Sequence, residues 1–253
     1  MSITSPIPLQ HATDGGISWR ARIGLVVLQT DQTAEPELAS LQVPGVGFHH
    51  ARIANDMVVT TETLAAMEDR LPDAAALLPP EFDFAAIGYA CTSAATVIGE
   101  QAVADAIHKS HPGVPTTNPI SAAIAAFGAL GVERIGVVTP YSEHVTIPVI
   151  NLFDAAGIDV SAFGSFLLDD DLTIARITPG AIAEGLRTVD AAADCDAFFV
   201  SCTSVRSFAE VESLEHEFGR PIVSSNLALA WHLLRLAEIP DSIDQLGTLM
   251  RTC

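Results

Sequence analysis

Positive charge is the scarcest feature of this chain. Its 253 residues carry 12 Lys and Arg against 31 Asp and Glu, a formal net charge of −19. Affinity for polyanions comes largely from basic side chains displacing counterions, so nucleic acid is not expected as a partner. Aromatic residues make up only 6% of a composition that is 49% hydrophobic, which implies a folded core of Ala, Val, Ile and Leu rather than disorder. No apolar run reaches membrane-spanning length, and Met1 to Gly16 is polar and Pro-containing, so neither a membrane span nor a signal peptide is expected. The four cysteines form no CxxC pair and the eight histidines no HxxxH, which argues against a metal site. Neither GxGxxG nor GxxxxGK follows a strand-like run, so no phosphate or dinucleotide cofactor is expected. The reading is a cytoplasmic protein with reduced, free thiols.

What the chain does have is an internal duplication. Gly88-Tyr89-Ala90-Cys91-Thr92-Ser93 is echoed by Val200-Ser201-Cys202-Thr203-Ser204-Val205, each ending an apolar strand-like run and opening a helix-like one. Arg22-Ile23-Gly24-Leu25-Val26-Val27 is answered by Arg134-Ile135-Gly136-Val137-Val138-Thr139, and the two arginines precede their cysteines by 69 and 68 positions. Cys91 then leads after 27 positions to Asn118 and Cys202 after 24 to Asn226, each Asn following a hydroxyl residue and preceding an Ala-rich helix. A repeat of roughly 110 residues is too long for a solenoid unit and reads as two similar domains facing each other.

Strands are expected over 21–30, 46–53 and 84–90 in the first half, and over 134–139, 160–166, 197–201 and 221–225 in the second. Helices are expected over 61–78, 93–109, 121–130, 143–156, 179–192, 207–218 and 227–236, with 35–37 a first helical turn and 1–19 an arm. This alternation implies an α/β protein: two Rossmann-like (flavodoxin-like) domains with parallel sheets, related by pseudo-twofold symmetry, with the active site in the cleft between them. The first domain is 1–116 with 227–253 packing back on it, the second 117–226, and the Pro/Gly-rich 111–119 is the crossing. Ligands of such sheets bind beyond the carboxyl ends of the strands, which groups loops 29–35, 91–93, 140–142 and 202–204.

A single free cysteine at a strand end is ordinarily packing. Two at equivalent positions are read as a functional pair, Cys91 and Cys202, facing each other across a small ligand and able to remove a proton from one face of a carbon and return one to the other. A helix N-terminus favours thiolate, so at least one thiol of low pKa is expected. Cys195 and Cys253 lack symmetric counterparts and are bystanders. Thr92, Ser93, Thr203 and Ser204 are either helix caps or part of a carboxylate-binding turn. Tyr141, one of two tyrosines, stands where its hydroxyl reaches the cleft.

The run from Gly24-Leu25-Val26-Val27 through Thr30-Asp31-Gln32-Thr33-Ala34-Glu35-Pro36-Glu37, the two Cys-Thr-Ser turns, Thr139-Pro140-Tyr141 and Asp170-Asp171-Leu172-Thr173-Ile174-Ala175-Arg176 resemble the maleate isomerase and arylmalonate decarboxylase branch of the aspartate/glutamate racemase superfamily. The resemblance implies a cofactor-free enzyme with its site between two Rossmann-like domains, Cys91 matching the nucleophile, Cys202 the opposite acid/base cysteine and Tyr141 a substrate-binding tyrosine. Two positions depart from the maleate isomerase pattern, since Asp31 and Asp171 stand where those enzymes carry Asn. The Thr-Asp-x-Thr-x-Glu loop is similar to that of ectoine-utilisation proteins. The expected activity is a cofactor-independent isomerase or racemase on a small, amino-acid-like carboxylate. Maleate cis-trans isomerisation and non-catalytic small-acid binding are the alternatives, with decarboxylation behind them. Asp31 and Asp171 are substrate-binding residues if they face the cleft, or helix caps if they do not. Assembly with further copies of the chain is left open.

Overall fold

The structure is a computed structural model that describes residues 6–252; the first five residues of the expected arm and Cys253 lie outside them. Each half of the chain builds one four-stranded parallel sheet. Strands β1 (Ala21–Leu28), β2 (Val46–Ile53), β3 (Ala86–Ala90) and β4 (Thr116–Thr117) lie in the order β2-β1-β3-β4. Strands β5 (Arg134–Tyr141), β6 (Asp159–Leu168), β7 (Ala197–Val200) and β8 (Ile222–Ser224) lie in the order β6-β5-β7-β8. The duplication extends to register: Ile23 of β1 pairs with Ala86 of β3, and Ile135 of β5 with Ala197 of β7. Ile23, Leu25, Val26 and Val27 are all fully buried, as expected of a central strand covered on both faces.

Helices fill the connections: α1 (Ala34–Ser40), α2 (Thr61–Ala65), α3 (Leu71–Ala75), α4 (Thr92–Ile98), α5 (Glu100–His108), α6 (Pro119–Leu130), α7 (Glu143–Ala155), α8 (Asp171–Ile174), α9 (Pro179–Ala192), α10 (Val211–Phe218), α11 (Ser225–Leu236) and α12 (Gly247–Met250). Three expected helices are interrupted. The 61–78 segment divides into α2, a 3-10 turn at Glu68–Arg70 and α3, whose second position is Pro72, a residue with no N–H to continue a ladder. The 93–109 segment breaks at Gly99, whose φ of +92° is free of the penalty a Cβ would impose. The 207–218 segment opens as a 3-10 turn, Phe208–Glu210, before α10. Within the expected crossing, Thr116 and Thr117 add β4 to the edge of the first sheet.

The chain's last long helix returns to the first sheet. Leu229 and Leu233 of α11 press on β3 so closely that a Cβ on Gly88 would meet them at 3.2 and 3.1 Å. That approach brings the start of α11 up against the end of β3, where Cys91 follows. Among the described residues no helix is long and apolar enough to cross a membrane.

Candidate active site

Cys91 directly follows β3 and is the N-cap of α4. Its Sγ accepts a hydrogen bond from the Ala94 N–H at 3.4 Å and lies 3.7 Å from the Ser93 hydroxyl. Cys202 follows β7 at one residue's remove, and here the local expectation fails: a turn follows it, not a helix. Its φ of +97° is a conformation that costs a residue with a side chain about 1–3 kcal/mol and persists only where the surroundings impose it. They do so through α11. The Ser225 hydroxyl accepts from the Cys202 N–H at 2.9 Å and from the Thr92 hydroxyl at 2.8 Å, so one oxygen ties both cysteine turns together. Asn226 donates from Nδ2 to the Thr203 carbonyl at 2.9 Å and to Glu37 Oε2 at 2.7 Å. Glu37, on α1, also accepts from the N–H groups of Ser207 at 2.6 Å and Phe208 at 2.9 Å. The Cys202 loop is therefore clamped between α1 and α11.

The two thiols, one from each half of the chain, line a single cavity with Ser93, Tyr141, Asp171, Thr203 and Ser204. Its far wall is a strap running from Asn55 to Met67, including Val58, Val59 and Leu64. The strap is stitched to the second half of the chain by backbone hydrogen bonds, Val59 N–H to the Asp169 carbonyl at 2.7 Å and Asp171 N–H to the Met57 carbonyl at 3.0 Å. The space enclosed is about 20 Å³, roughly what one ordered water occupies.

The two aspartates part company. Asp31 caps α1: its Oδ1 accepts from the N–H groups of Thr33 at 2.9 Å and Ala34 at 2.8 Å. Its Oδ2 is buried with no hydrogen-bond partner among the described residues, and burial pushes its carboxyl up to about 6, reinforced by the charge of Asp171 and opposed by the two N–H bonds. It does not line the cavity. Asp171 does, because the cap of α8 is its neighbour Asp170, which accepts from the Thr173 N–H at 2.7 Å. Asp171 accepts instead from the hydroxyls of Thr30 and, at 3.2 Å, Ser204, while the Asn55 amide donates to Thr30 at 2.9 Å.

Burial dominates the thiols. It pushes Cys91 up to about 11 and Cys202 up to about 12, and the charge of Asp171 adds to both. Opposing it are the Ala94 N–H and Ser93 hydroxyl at Cys91, and the Tyr141 hydroxyl and Ser204 N–H at Cys202. This overturns the expectation of a low-pKa thiol: the partial charge of a helix terminus is outweighed by near-complete loss of solvent, reinforced by a nearby carboxylate. Tyr141 is itself raised well above its ordinary value by burial, then by the nearby thiols. Both sulfurs rest as thiols.

Of the hydroxyl residues read from the sequence, Ser93 and Tyr141 keep theirs at the thiols. Those of Thr92 and Thr203 join the two cysteine turns, and that of Ser204 serves Asp171. Cys195 packs just before β7, at the opposite end of that strand from Cys202, its sulfur 3.4 Å from Arg220. Sequence reasoning passed over Thr30, Glu37, Asn55, Ser225 and Asn226. Thr30 and Glu37 sat in the quoted first-loop run, but Ser225 and Asn226 had been read as a landmark equivalent to Asn118. Asn118 is an ordinary N-cap, accepting from Ile120 and Ser121, so equivalence in sequence did not carry equivalence of role. Among the described residues no group of three His, Cys, Asp or Glu side chains is placed to hold a metal ion.

Residues 23–250 match the family described as arylmalonate decarboxylase. The maleate isomerase of Nocardia farcinica is 30% identical over 249 residues, covering 91% of this chain and 95% of that protein. A solved structure of the Nocardia farcinica maleate cis-trans isomerase, a cysteine-to-serine mutant with a covalently bound succinylcysteine intermediate, has a TM-score of 0.79 at 28% identity and covers 91% of this chain and 98% of that one. The maleate isomerase of Pseudomonas putida, solved with maleate, has a TM-score of 0.83 at 24% identity, with 92% and 98% covered, a likeness of fold.

Proposed function

Because the chain belongs to the arylmalonate decarboxylase family, we propose that it is a cofactor-independent isomerase whose two thiols, Cys91 and Cys202, act together on a small carboxylate. The observation that carries this reading is that the two cysteines, one after β3 and one after β7, line one enclosed cavity with the Tyr141 hydroxyl at Cys202. A thiol is a proton donor, and once deprotonated a nucleophile or base. Around a carbon–carbon double bond, the Cys91 sulfur bonds to one carbon, the Cys202 proton goes to the other, and the Cys91 proton replaces it on Cys202. Rotation about the resulting single bond and reversal of the same steps return both thiols. In a racemisation, one cysteine first gives its proton to solvent; its thiolate then takes a proton from carbon while the thiol opposite supplies one, which leaves the thiolate on the other side. The hydroxyls of Ser93 and Tyr141 hold the substrate carboxylate beside the sulfurs.

Maleate cis-trans isomerisation is the second reading, favoured by the identity to the Nocardia farcinica enzyme and by the succinylcysteine in its solved relative. The Thr30-Asp31-Gln32-Thr33-Ala34-Glu35 loop supports grouping the chain with ectoine-utilisation proteins within this branch. The free thiols of Cys91, Cys195 and Cys202 support a reducing, cytoplasmic setting. The test is Cys91→Ser and Cys202→Ser, assayed by proton NMR for turnover and by intact mass for trapped adduct. Each is expected to abolish turnover with the circular dichroism spectrum unchanged; either variant retaining a tenth of wild-type activity would sink the two-thiol assignment.

A further inference from the structure

We infer that the ligand of this cavity carries an ammonium group alongside its carboxylate, and that Asp171 receives it. This rests on the isomerase reading of the site and names its substrate class. Among the described residues the cavity is lined by no Lys, Arg or His; its charged residues are Asp56 and Asp171. Asp56 is half exposed and paired with Arg70 at 3.3 Å, which leaves Asp171 as the charge in the interior. Arg52 lies behind the first loop but is consumed there, donating to the carbonyls of Leu28, Gln29 and Asp31 at 3.0–3.1 Å and pairing with Glu35 at 2.9 Å.

Two hydroxyls converge on Asp171. The Thr30 hydroxyl accepts from the Asn55 amide and donates to Oδ2, a closer acceptor than Asn55 Oδ1 at 3.2 Å, and Ser204 donates to Oδ1. A carboxylate has about four lone-pair directions, so two hydroxyls leave it able to accept more. Behind the cavity wall, Asp31 is 3% exposed and its Oδ2 has no hydrogen-bond partner among the described residues. Burial, reinforced by the charge of Asp171, raises its carboxyl, so this side of the site already resists further negative charge. A dicarboxylate would add two negative charges to this setting with no cation to meet either. An amino acid puts its ammonium on Asp171 and leaves its carboxylate to the Ser93 and Tyr141 hydroxyls. Burial is what chiefly raises both thiols, and the charge of Asp171 adds to it; an ammonium offsets that added part, so this ligand, unlike a dianion, eases proton loss from sulfur.

The experiment is calorimetric titration at pH 7 with 2-aminobutyrate, butyrate and maleate, on the wild-type chain and on Asp171→Asn. The wild type is expected to bind 2-aminobutyrate at least tenfold more tightly than either of the others, and Asp171→Asn to lose that preference and gain affinity for maleate. Maleate or butyrate binding as tightly as 2-aminobutyrate, no measurable binding of 2-aminobutyrate, or a preference unmoved in a folded Asp171→Asn would each overturn the inference. Should that variant not fold, Thr30→Val, which removes a hydroxyl but keeps the charge, must retain the wild-type ranking. Maleate turnover requiring both cysteines would uphold the isomerase reading while overturning this one; an amino-acid preference in a chain whose Cys91→Ser variant turns over normally would do the reverse.

Discussion

The hydroxyl of Thr203 donates to the carbonyl oxygen of Ala90 at 3.2 Å, a buried bond between positions 113 residues apart. Thr203 follows Cys202 and Ala90 precedes Cys91, so the bond runs from beside one thiol to beside the other. With the Ser225 hydroxyl it ties the backbone of one cysteine turn to the other, which fixes where the two cysteines stand relative to each other. Proton transfer and covalent addition are steeply sensitive to that spacing.

Ser225→Ala is expected to lower kcat tenfold or more while KM moves only a few-fold. The variant strands the buried Cys202 N–H, whose φ of +97° then loses its main restraint, and an unsatisfied buried donor costs about 1–3 kcal/mol. Steady-state kinetics with urea unfolding decide the matter, and a variant with normal kcat would show that the turn holds itself.

Alkylation by iodoacetamide reads the thiols directly. With Cys91 near 11 and Cys202 near 12, the ligand-free protein is expected to label at these positions more slowly than free cysteine at pH 7, with the rate climbing about tenfold per pH unit through pH 9. Peptide mapping that found either residue labelled rapidly at neutral pH would contradict the burial argument.

Asp31→Asn is expected to flatten the acid side of the stability profile. The folded carboxyl sits near 6 against an ordinary 3.8, so the native state holds more protons than the unfolded chain between those values. Stability therefore falls as pH rises through that window, and the loss is complete above about pH 6. Asn keeps an acceptor for the Thr33 and Ala34 N–H groups, so the variant should be more stable than wild type at pH 7 by up to about 3 kcal/mol. Urea midpoints at pH 4 and pH 7 give the comparison. Glu37 is raised in the same sense, so equal slopes in variant and wild type would move the effect from Asp31 to Glu37.

Glu37→Ala removes the acceptor of two backbone N–H groups and of the Asn226 amide at once. A loss of about 2–4 kcal/mol is expected, along with most activity, because the Cys202 loop is anchored there. If Glu37→Ala unfolded at the wild-type urea midpoint, the clamp between α1 and α11 would be of no consequence.

The sheets were legible because β1 and β5 are near-continuous aliphatic runs, and such runs have few other stable uses. The cysteine pair was legible because strand ends are where parallel sheets present chemistry. The helix breaks were not, since Gly99 reads equally well inside a helix until its φ is known. Nor was the strap: Val58 and Val59 carry no local signature, and their partners 169–171 lie in the other half of the chain. The choice between cap and cleft for the aspartates resolved once for each. Asp170 caps α8 and leaves Asp171 to the cavity, whereas at α1 the N-cap Thr33 spends its hydroxyl on the Ser204 carbonyl and Asp31 takes the Thr33 and Ala34 N–H groups. The thiol pKa values went the other way from the local expectation because burial is decided by the whole fold, not by the residues beside the sulfur.

Sealed by a seam between the two halves of the chain, the cavity governs by-products as well as turnover. A half-finished species under the strap meets two thiols with little room for water beside them, which favours completing the reaction or reverting over hydration. The bonds from Val59 to Asp169 and from Asp171 to Met57 hold the strap across that space. Fidelity in this protein is then a matter of timing, set by how rarely that seam opens relative to the chemistry beneath it.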